Sequence, residues 1–329
     1  MSTVVVDQEF QTLVEPLRRE LTVHCYRMLG SVHEAEDLVQ ETYIRAWRAY
    51  HGFENRSSLR TWIYRIATNV CLTALQQNQR RPLPTGLGQP NSDPNNGLIE
   101  RPELPWLEPL PDSMVWGNAD PDPAEAAITR DSVRLAFVAA LHHLTAQQRA
   151  VVILRDVLAW RASEVAAALD ITVAAVNSTL QRARAQLAKQ RTSTHPDLPD
   201  GDERATRLLA DYLDAFEHYD VPRIVALLTE DAVWEMPPFT GWYLGRTDIG
   251  VLIGDQCPAK TADDMRFLPS SANGQPVLAV YMRGEDGEHH AFQLQQLTLT
   301  EAGVSHVACY FDTTLFSAFG LPSTLPRER

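Results

Sequence analysis

Ten of the 21 prolines in this 329-residue chain fall between residues 81 and 123. Proline lacks the N–H that a helix or a central strand needs, and its ring clashes with the preceding turn, so neither element runs through such a density. The stretch also holds seven acidic and only two basic side chains, with Gly, Asn and Asp filling the gaps. It reads as an extended, acidic linker, and the sequence on either side must close its own cores. The length agrees, being too great for one small core and suited to two or three domains.

Before the linker, residues 10–80 read as helices. Ser31-Val-His-Glu34 has the form of a capping box, in which a hydroxyl satisfies free N–H groups of the first turn while the glutamate reaches back. Ala35, Leu38, Val39, Thr42, Ala46 and Trp47 then recur with the period of an amphipathic helix. His51-Gly52-Phe53 punctuates its end. Leu59, Trp62, Ile63, Ile66, Ala67 and Val70 form a second apolar stripe, and Leu17, Leu21 and Tyr26 a third. After the linker, Thr145-Ala-Gln-Gln148 is another capping box. Val165, Ala166 and Leu169, then Val176, Leu180, Ala183 and Leu187, line two helices with Asp170-Ile171 between them, the spacing of a helix-turn-helix. Asp170 stands where glycine is commoner, and aspartate tolerates the left-handed turn required there.

A second linker, residues 192–202, precedes helix over 203–229, with a fresh helix start at Asp220-Val-Pro222. Beyond it, apolar or alternating runs at Ala232–Met236, Val277–Arg283, Phe292–Leu299 and Val304–Phe311 read as strands. The apolar phase slips at Gln295-Gln296, which predicts a bulge. Helices followed by a curved antiparallel sheet make an α+β domain.

The net charge of −13 is modular: zero over residues 1–80, −5 over the linker, +4 over 124–195 and −12 over 196–329. Nucleic-acid binders usually present a basic surface, and only the helix-turn-helix block does so. No apolar run approaches the roughly 20 residues of a membrane span, and Met1 to Phe10 lacks the regions of a signal peptide. The expected location is the cytoplasm, with no membrane partner. Cys25, Cys71, Cys257 and Cys309 lie far apart and read as small buried hydrophobes, not a disulfide framework or a zinc site. Neither a metal nor a cofactor is expected.

Two blocks carry a resemblance. The first is Ala35-Glu-Asp-Leu-Val-Gln-Glu-Thr-Tyr-Ile-Arg-Ala-Trp47 with Ser57-Ser-Leu-Arg-Thr-Trp-Ile-Tyr-Arg-Ile-Ala-Thr-Asn69. The second runs from Leu144-Thr-Ala-Gln-Gln-Arg-Ala-Val151 through Leu154-Arg155 and Ser163 to Ala168, ending in Val176-Asn-Ser-Thr-Leu-Gln-Arg-Ala-Arg184. In this order, around a proline-rich linker, they resemble the extracytoplasmic-function group of the sigma-70 family of RNA polymerase specificity subunits. The match covers residues 10–190. The tail beyond residue 203 looks like that of the actinobacterial SigG-type group, whose C-terminal domain is SnoaL-like, of the NTF2-like superfamily. The resemblance implies a multidomain chain with two all-α helical domains and a third of another class. These are sigma region 2 in residues 1–80, the linker 81–123, helix-turn-helix region 4 in 124–192, and an α+β, cone-shaped NTF2-like domain in 203–325.

The resemblance also implies roles and partners. The partners are core RNA polymerase, through the clamp helices of its largest subunit and its flap region, and promoter DNA. Asp37, Gln40, Glu41 and Arg45 form one charged stripe that docks on the clamp helices; as residues alone they are equally a solvated helix face. Phe53, Asn55, Arg56, Ser57, Ser58, Arg60 and Arg65 correspond to the part that melts the −10 element, where a flipped base must be held by stacking and polar contacts. Trp62 shares the apolar stripe, so core packing is its first reading. The last helix of the second block belongs in the major groove at the −35 element, with Thr172, Ala174, Ala175, Asn177, Ser178 and Gln181 near bases. Arg182 and Arg184 go to phosphate or to helix packing. Asn177 and Thr179 occupy positions often basic in the family, which lowers nonspecific phosphate affinity. The −35 and −10 centres lie about 85 Å apart at 3.4 Å per base pair. A flexible coil of the linker's length averages only ~35–40 Å, whereas polyproline geometry reaches ~130 Å.

For the tail, the resemblance implies a pocket lined by Trp234, Glu235, Met236, Trp242, Tyr243, Phe292, His306 and Tyr310, with a small-molecule ligand as a further partner. Glu235, His306 and Asp312 are the acid–base candidates, but no spacing makes them a catalytic set. They read as a core histidine and two surface acids, and the chain as no enzyme. The expected role of the tail is to modulate a sigma factor. Two other classes remain as alternatives: a helix-turn-helix regulator acting without polymerase, and a SnoaL-like enzyme fused to a sigma-like module. The Glu-Asp-Leu-Val-Gln-Glu helix has no use in the first, and a buried, perturbed carboxylate in a formed pocket would favour the second.

Overall fold

The computed structural model describes residues 9–76, 80–116, 129, 131–189, 196–199 and 201–326. The end of the expected first linker, the first residues of the 124–192 module and the opening of the 192–202 linker lie outside the described residues. The chain forms two compact units: Met1–Arg81 with Leu107–Thr192, and Pro82–Trp106 with Ser193–Arg329. The expected linker is therefore divided. Its first part is built into the tail unit, and residues from Leu107 belong with the helices.

In the helical unit, α1 (Arg18–Leu29) ends at Gly30, whose φ of 73° supplies the left-handed stop. Helix α2 (Val32–Ala49) begins at Ser31, whose Oγ accepts the Glu34 N–H. The reciprocal half of the predicted box is redirected, because the Glu34 carboxylate pairs with Arg81 at 2.6 Å. Helix α2 does not stop on a left-handed Gly52; it tightens into a 3-10 turn over Tyr50–Gly52, and Asn55 takes the positive φ of 54°. Helix α3 (Leu59–Leu75) packs on α1 and α2 around Leu21, Tyr26, Met28, Val39, Ile63 and Ala67, all buried. Cys25 and Cys71 are free thiols in this core, and the hydrogen bond with Cys25, followed by burial, pushes the Cys71 thiol up.

Helices α4 (Leu135–Leu141), α5 (Ala146–Val152), α6 (Ala162–Leu169) and α7 (Val173–Ala188) complete the unit. The Thr145–Gln148 box is present in both directions and opens α5. A π turn over Ile153–Val157 follows. Asp170 adopts φ 53° and ψ 48° between α6 and α7, the left-handed geometry expected of the helix-turn-helix turn. The two helical modules are docked on each other within this one unit. Helices α4 and α5 contact α1, and α5 and α6 contact α3. Asn69 Nδ2 donates to Ala168 O at 3.4 Å, and the Tyr64 and Trp160 rings meet edge to face at 6.3 Å. His24 is fully buried against Thr68 at 2.9 Å, and desolvation lowers its pKa to about 3.

In the tail unit, α8 (Glu203–Glu217), α9 (Val221–Leu227) and α10 (Arg246–Gln256) accompany a seven-stranded sheet. The strands are β1 (Leu228–Glu235), β2 (Trp242–Leu244), β3 (Met265–Ala272), β4 (Gln275–Arg283), β5 (His289–Thr300), β6 (Gly303–Tyr310) and β7 (Thr324–Leu325). Their order is β2-β1-β6-β5-β4-β3, with β7 on β5. The domain is α+β, as the pattern implied. The sheet is not wholly antiparallel, since β1 and β6 run parallel. The predicted bulge is displaced. Gln295 and Gln296 are both in register, opposite Leu278 and Val277, and the irregularities fall beside Phe292 and at Thr298/Leu299. Each glutamine is buried on its own side of the sheet, Gln295 bonded to Tyr212 and Gln296 to Ala272 O and Gln275, so two polar neighbours are accommodated without a slip. One face carries the core: Tyr212, Phe216, Trp234, Phe267, Leu297 and Val307. Among the described residues no helix is long and apolar enough to cross a membrane.

Candidate polymerase and nucleic-acid interfaces

Helix α2 turns its charged stripe outward. Asp37, Gln40 and Arg45 are exposed and Glu41 half-exposed, with Arg45 Nε donating to Glu41 at 2.6 Å. Two large apolar side chains stand on the same helix: Ile44 is 45% and Trp47 41% exposed. Trp47 was expected in the core stripe, but Val39, Thr42 and Ala46 fill that side, leaving the indole outside. Exposed aromatic and branched side chains amid charges are the composition of a protein-docking surface. The only signal that marked Ile44 in the sequence was that an apolar residue interrupts the polar face.

The α2–α3 loop forms one side of a concavity of about 440 Å³, lined by Leu13, Tyr50, His51, Phe53, Asn55 and others. That volume falls in the range of small-molecule pockets. Phe53 lies against Trp62, ring centroids 4.8 Å apart, so Trp62 is half-buried support for Phe53 instead of a fully enclosed core residue. Of the other expected −10 residues, Ser58 has a structural task, because its Oγ accepts Thr61 N–H at 3.0 Å and caps α3. Ser57 and Arg65 are exposed, and Arg56 pairs with Glu54. Arg60 is held by Glu20 through Nε at 2.8 Å and Nη2 at 2.6 Å, and lies 5.0 Å from the centre of the Tyr64 ring. Tyr64 is buried, and its hydroxyl donates to Glu20 at 3.1 Å.

Helix α7 exposes Ala174, Asn177, Ser178, Gln181, Arg182 and Arg184, with Ala175 half-exposed. Thr172 is its N-cap, accepting Ala175 N–H at 3.1 Å. Arg182 donates to Thr179 at 3.3 Å, and Arg184 is bidentate on Asp156 at 2.9 and 2.6 Å. Val173, 44% exposed, joins this surface and was not among the expected residues.

The eight expected pocket residues of the tail do not share one cavity wall. Trp234, Met236 and Tyr243 belong to the core cluster, with Phe216 6.4 Å from Trp234 between ring centres. Alternation along β1 and β6 turns Glu235, His306 and Tyr310 to the other side of the sheet. Glu235 is no surface acid: it is 1% exposed, accepts from His306 Nε2 at 2.6 Å, and accepts the Thr85 backbone N–H at 3.0 Å. Asp312 caps a local turn through Thr314. Phe292 packs edge-on to Phe311, and the Trp242 Nε1–H donates to Gln89 O at 3.1 Å. Residues 85–101 follow the β1–β2 hairpin by main-chain bonds, Ser92 N to Trp242 O, Thr240 N to Ile99 O and Arg101 N to Pro238 O. Among the described residues no cluster of His, Cys, Asp or Glu suits a metal.

Comparison with known proteins identifies the two helical modules. Residues 13–81 match Sigma-70 region 2, and residues 134–187 match Sigma-70, region 4. The ECF RNA polymerase sigma factor SigG of Mycobacterium tuberculosis is 57% identical over 320 residues, covering 96% of this chain and 85% of its own. SigX of Bacillus subtilis, also an ECF RNA polymerase sigma factor, is 30% identical over 204 residues, covering 61% of this chain and 93% of its own. The crystal structure of M. tuberculosis SigJ superposes with a TM-score of 0.63 at 20% identity, covering 94% of this chain and 99% of that one, and so shares the fold through the tail.

Proposed function

The chain belongs to the extracytoplasmic-function group of RNA polymerase sigma factors, and on that footing we propose that it directs core polymerase to promoters by reading two elements and opening one of them. The α2 face docks on the clamp helices of the largest subunit. Ile44 and Trp47 supply the apolar contact, and Asp37, Gln40, Glu41 and Arg45 the polar rim. The concavity beside Phe53 and Asn55 takes a base flipped from the −10 element, and the exposed surface of α7 from Thr172 to Gln181 reads the −35 major groove. Arg60 and Arg184 reach DNA only by exchanging their carboxylate partners for phosphate. The observation that carries the reading is the exposed docking face of α2 next to a base-sized concavity, in a chain that also holds the helix-turn-helix.

The tail acts on this activity without chemistry of its own. Its support is the engagement of residues 85–101, linker by sequence, with the β1–β2 hairpin and with Glu235. A domain that holds the linker controls how far the linker extends. Transcription in vitro with the host's core polymerase on a selected promoter library tests the whole reading. Specific initiation is expected, and the chain ending near Lys189 should initiate with altered efficiency. Absence of specific transcripts from both chains would overturn it.

A further inference from the structure

Spanning about 85 Å between promoter elements requires the docked helical modules to separate. The α1–α2 turn, Leu29-Gly30-Ser31, is one of the places where they are held, beside the Asn69–Ala168 and Tyr64–Trp160 contacts. The turn joins two helix ends of opposite polarity: free carbonyls close α1 and free N–H groups open α2. A full charge of the complementary sign meets each end, and both charges come from far along the chain.

Arg149, on α5 of the helix-turn-helix module, donates to Met28 O at the end of α1. It also donates to Leu141 O at 3.1 Å, and it is 3% exposed. Burial lowers its pKa to about 10, so it remains a cation at neutral pH. Glu108, from the linker, caps the other end. Its Oε2 accepts Ser31 Oγ–H and Val32 N–H, both at 2.9 Å, and lies 3.3 Å from His33 Nδ1. Its backbone N–H donates to Gly30 O at 2.9 Å, and its carbonyl accepts the Tyr26 hydroxyl at 2.7 Å. Gly30 permits this approach: a Cβ there would lie 2.6 Å from His142 Nε2 and 2.7 Å from a Leu107 methyl.

Resting on the sigma-factor reading, we propose that Arg149 and Glu108 are the two halves of an intramolecular latch that parks the −35-reading module and the linker on the polymerase-binding module until the linker is drawn away. Neither residue belongs to the surfaces assigned to DNA or to polymerase. The chain therefore holds itself closed without a second protein.

The test uses the full chain with Cys257 replaced by serine and fluorophores placed through E54C and K189C, both positions exposed. Single-molecule energy transfer reads the separation of the modules. The unsubstituted latch should give one high-transfer population. Glu108→Ala and Arg149→Met should each raise the ratio of open to closed molecules about tenfold, the size expected when a charge leaves a helix end together with its hydrogen bonds. Glu108→Gln, which keeps an acceptor but no charge, should fall between. Circular dichroism identifies any variant that has unfolded; if Arg149→Met has, the two Glu108 variants decide. Unchanged transfer in both Glu108 variants overturns the latch. In parallel transcription assays, opening of the variants without specific transcripts from any chain leaves the latch standing and removes the sigma reading, so the two failures are distinct.

Discussion

The side chains proposed for recognition in the helical unit and the polar groups singled out in the tail unit lie in opposite places, one set outside and the other inside. In the helical unit the side chains proposed for recognition stand outside: Asn55, Asn177 and Gln181 are exposed, and so are the apolar Ile44, Trp47 and Val173. In the tail unit the distinctive polar groups are inside. Glu235, Gln295 and Gln296 are each 1% exposed, and all three are hydrogen-bonded within the unit. A surface of exposed apolar and polar groups is built for large partners. Buried, satisfied polar groups instead fix one internal arrangement, because leaving any of them unpaired is expensive. The helical unit thus carries an exposed mixed surface besides buried polar groups of its own, His24, Arg27 and Arg149, whereas the groups singled out in the tail, with Glu235 bonded to Thr85, are internal.

The sharpest break of this contrast is Glu235→Ala. It removes a buried carboxylate that both His306 and the Thr85 N–H bond, and losing a buried hydrogen-bond partner costs up to about 3 kcal/mol. Urea unfolding of the tail should register that loss while the α2 face keeps its affinity for polymerase. An effect below about 1 kcal/mol would mean the buried network is not what orders the tail.

A pH titration sharpens the other side. His24 is neutral when folded, its pKa held near 3 by burial and by Arg27, against 6.5 when unfolded. The unfolded chain therefore binds the extra proton between those values, and stability falls as pH drops below 6.5, by about 1.4 kcal/mol per unit. The loss ceases near pH 3. Between pH 6.5 and 4 this amounts to roughly 3 kcal/mol, read as faster amide exchange in α1. His24→Asn should flatten the slope by one proton.

Smaller still is Trp47→Ala. The variant should lose about 2 kcal/mol, roughly 30-fold, in affinity for core polymerase if the indole is a central anchor. Equal affinity would reassign the α2 face as ordinary solvated surface. The mildest case is Thr172→Ala, which deletes the α7 cap and should cost about 1 kcal/mol in thermal unfolding. A loss of −35 selectivity larger than that destabilisation would show that Thr172 also touches bases.

Local features were the most legible in the sequence. The Thr145–Gln148 box and the left-handed Asp170 are settled by a few neighbouring residues, and both occur as read. Trp47 was misplaced because an amphipathic count cannot tell a core position from the edge of the stripe. The fate of Thr85, Ser92, Ile99 and Arg101 left no trace in the sequence, since their engagement runs through main-chain groups that every residue possesses. The tail's pocket residues were grouped by type, and strand alternation separated Glu235 from its neighbours Trp234 and Met236.

What the amino-acid order determined alone was local: where long helices are interrupted (though a short one still forms at Asp112–Val115), where helices begin and turn, and which block carries positive charge. These follow from proline geometry, capping hydroxyls and side-chain charge, all of which act over a few residues. Tertiary structure decided which charges are buried and what they meet. Arg149 at the end of α1, Glu108 at the start of α2 and Glu235 beside His306 are each completed by atoms some 70 to 150 residues away, mostly anonymous backbone groups, and only the folded chain brings them together.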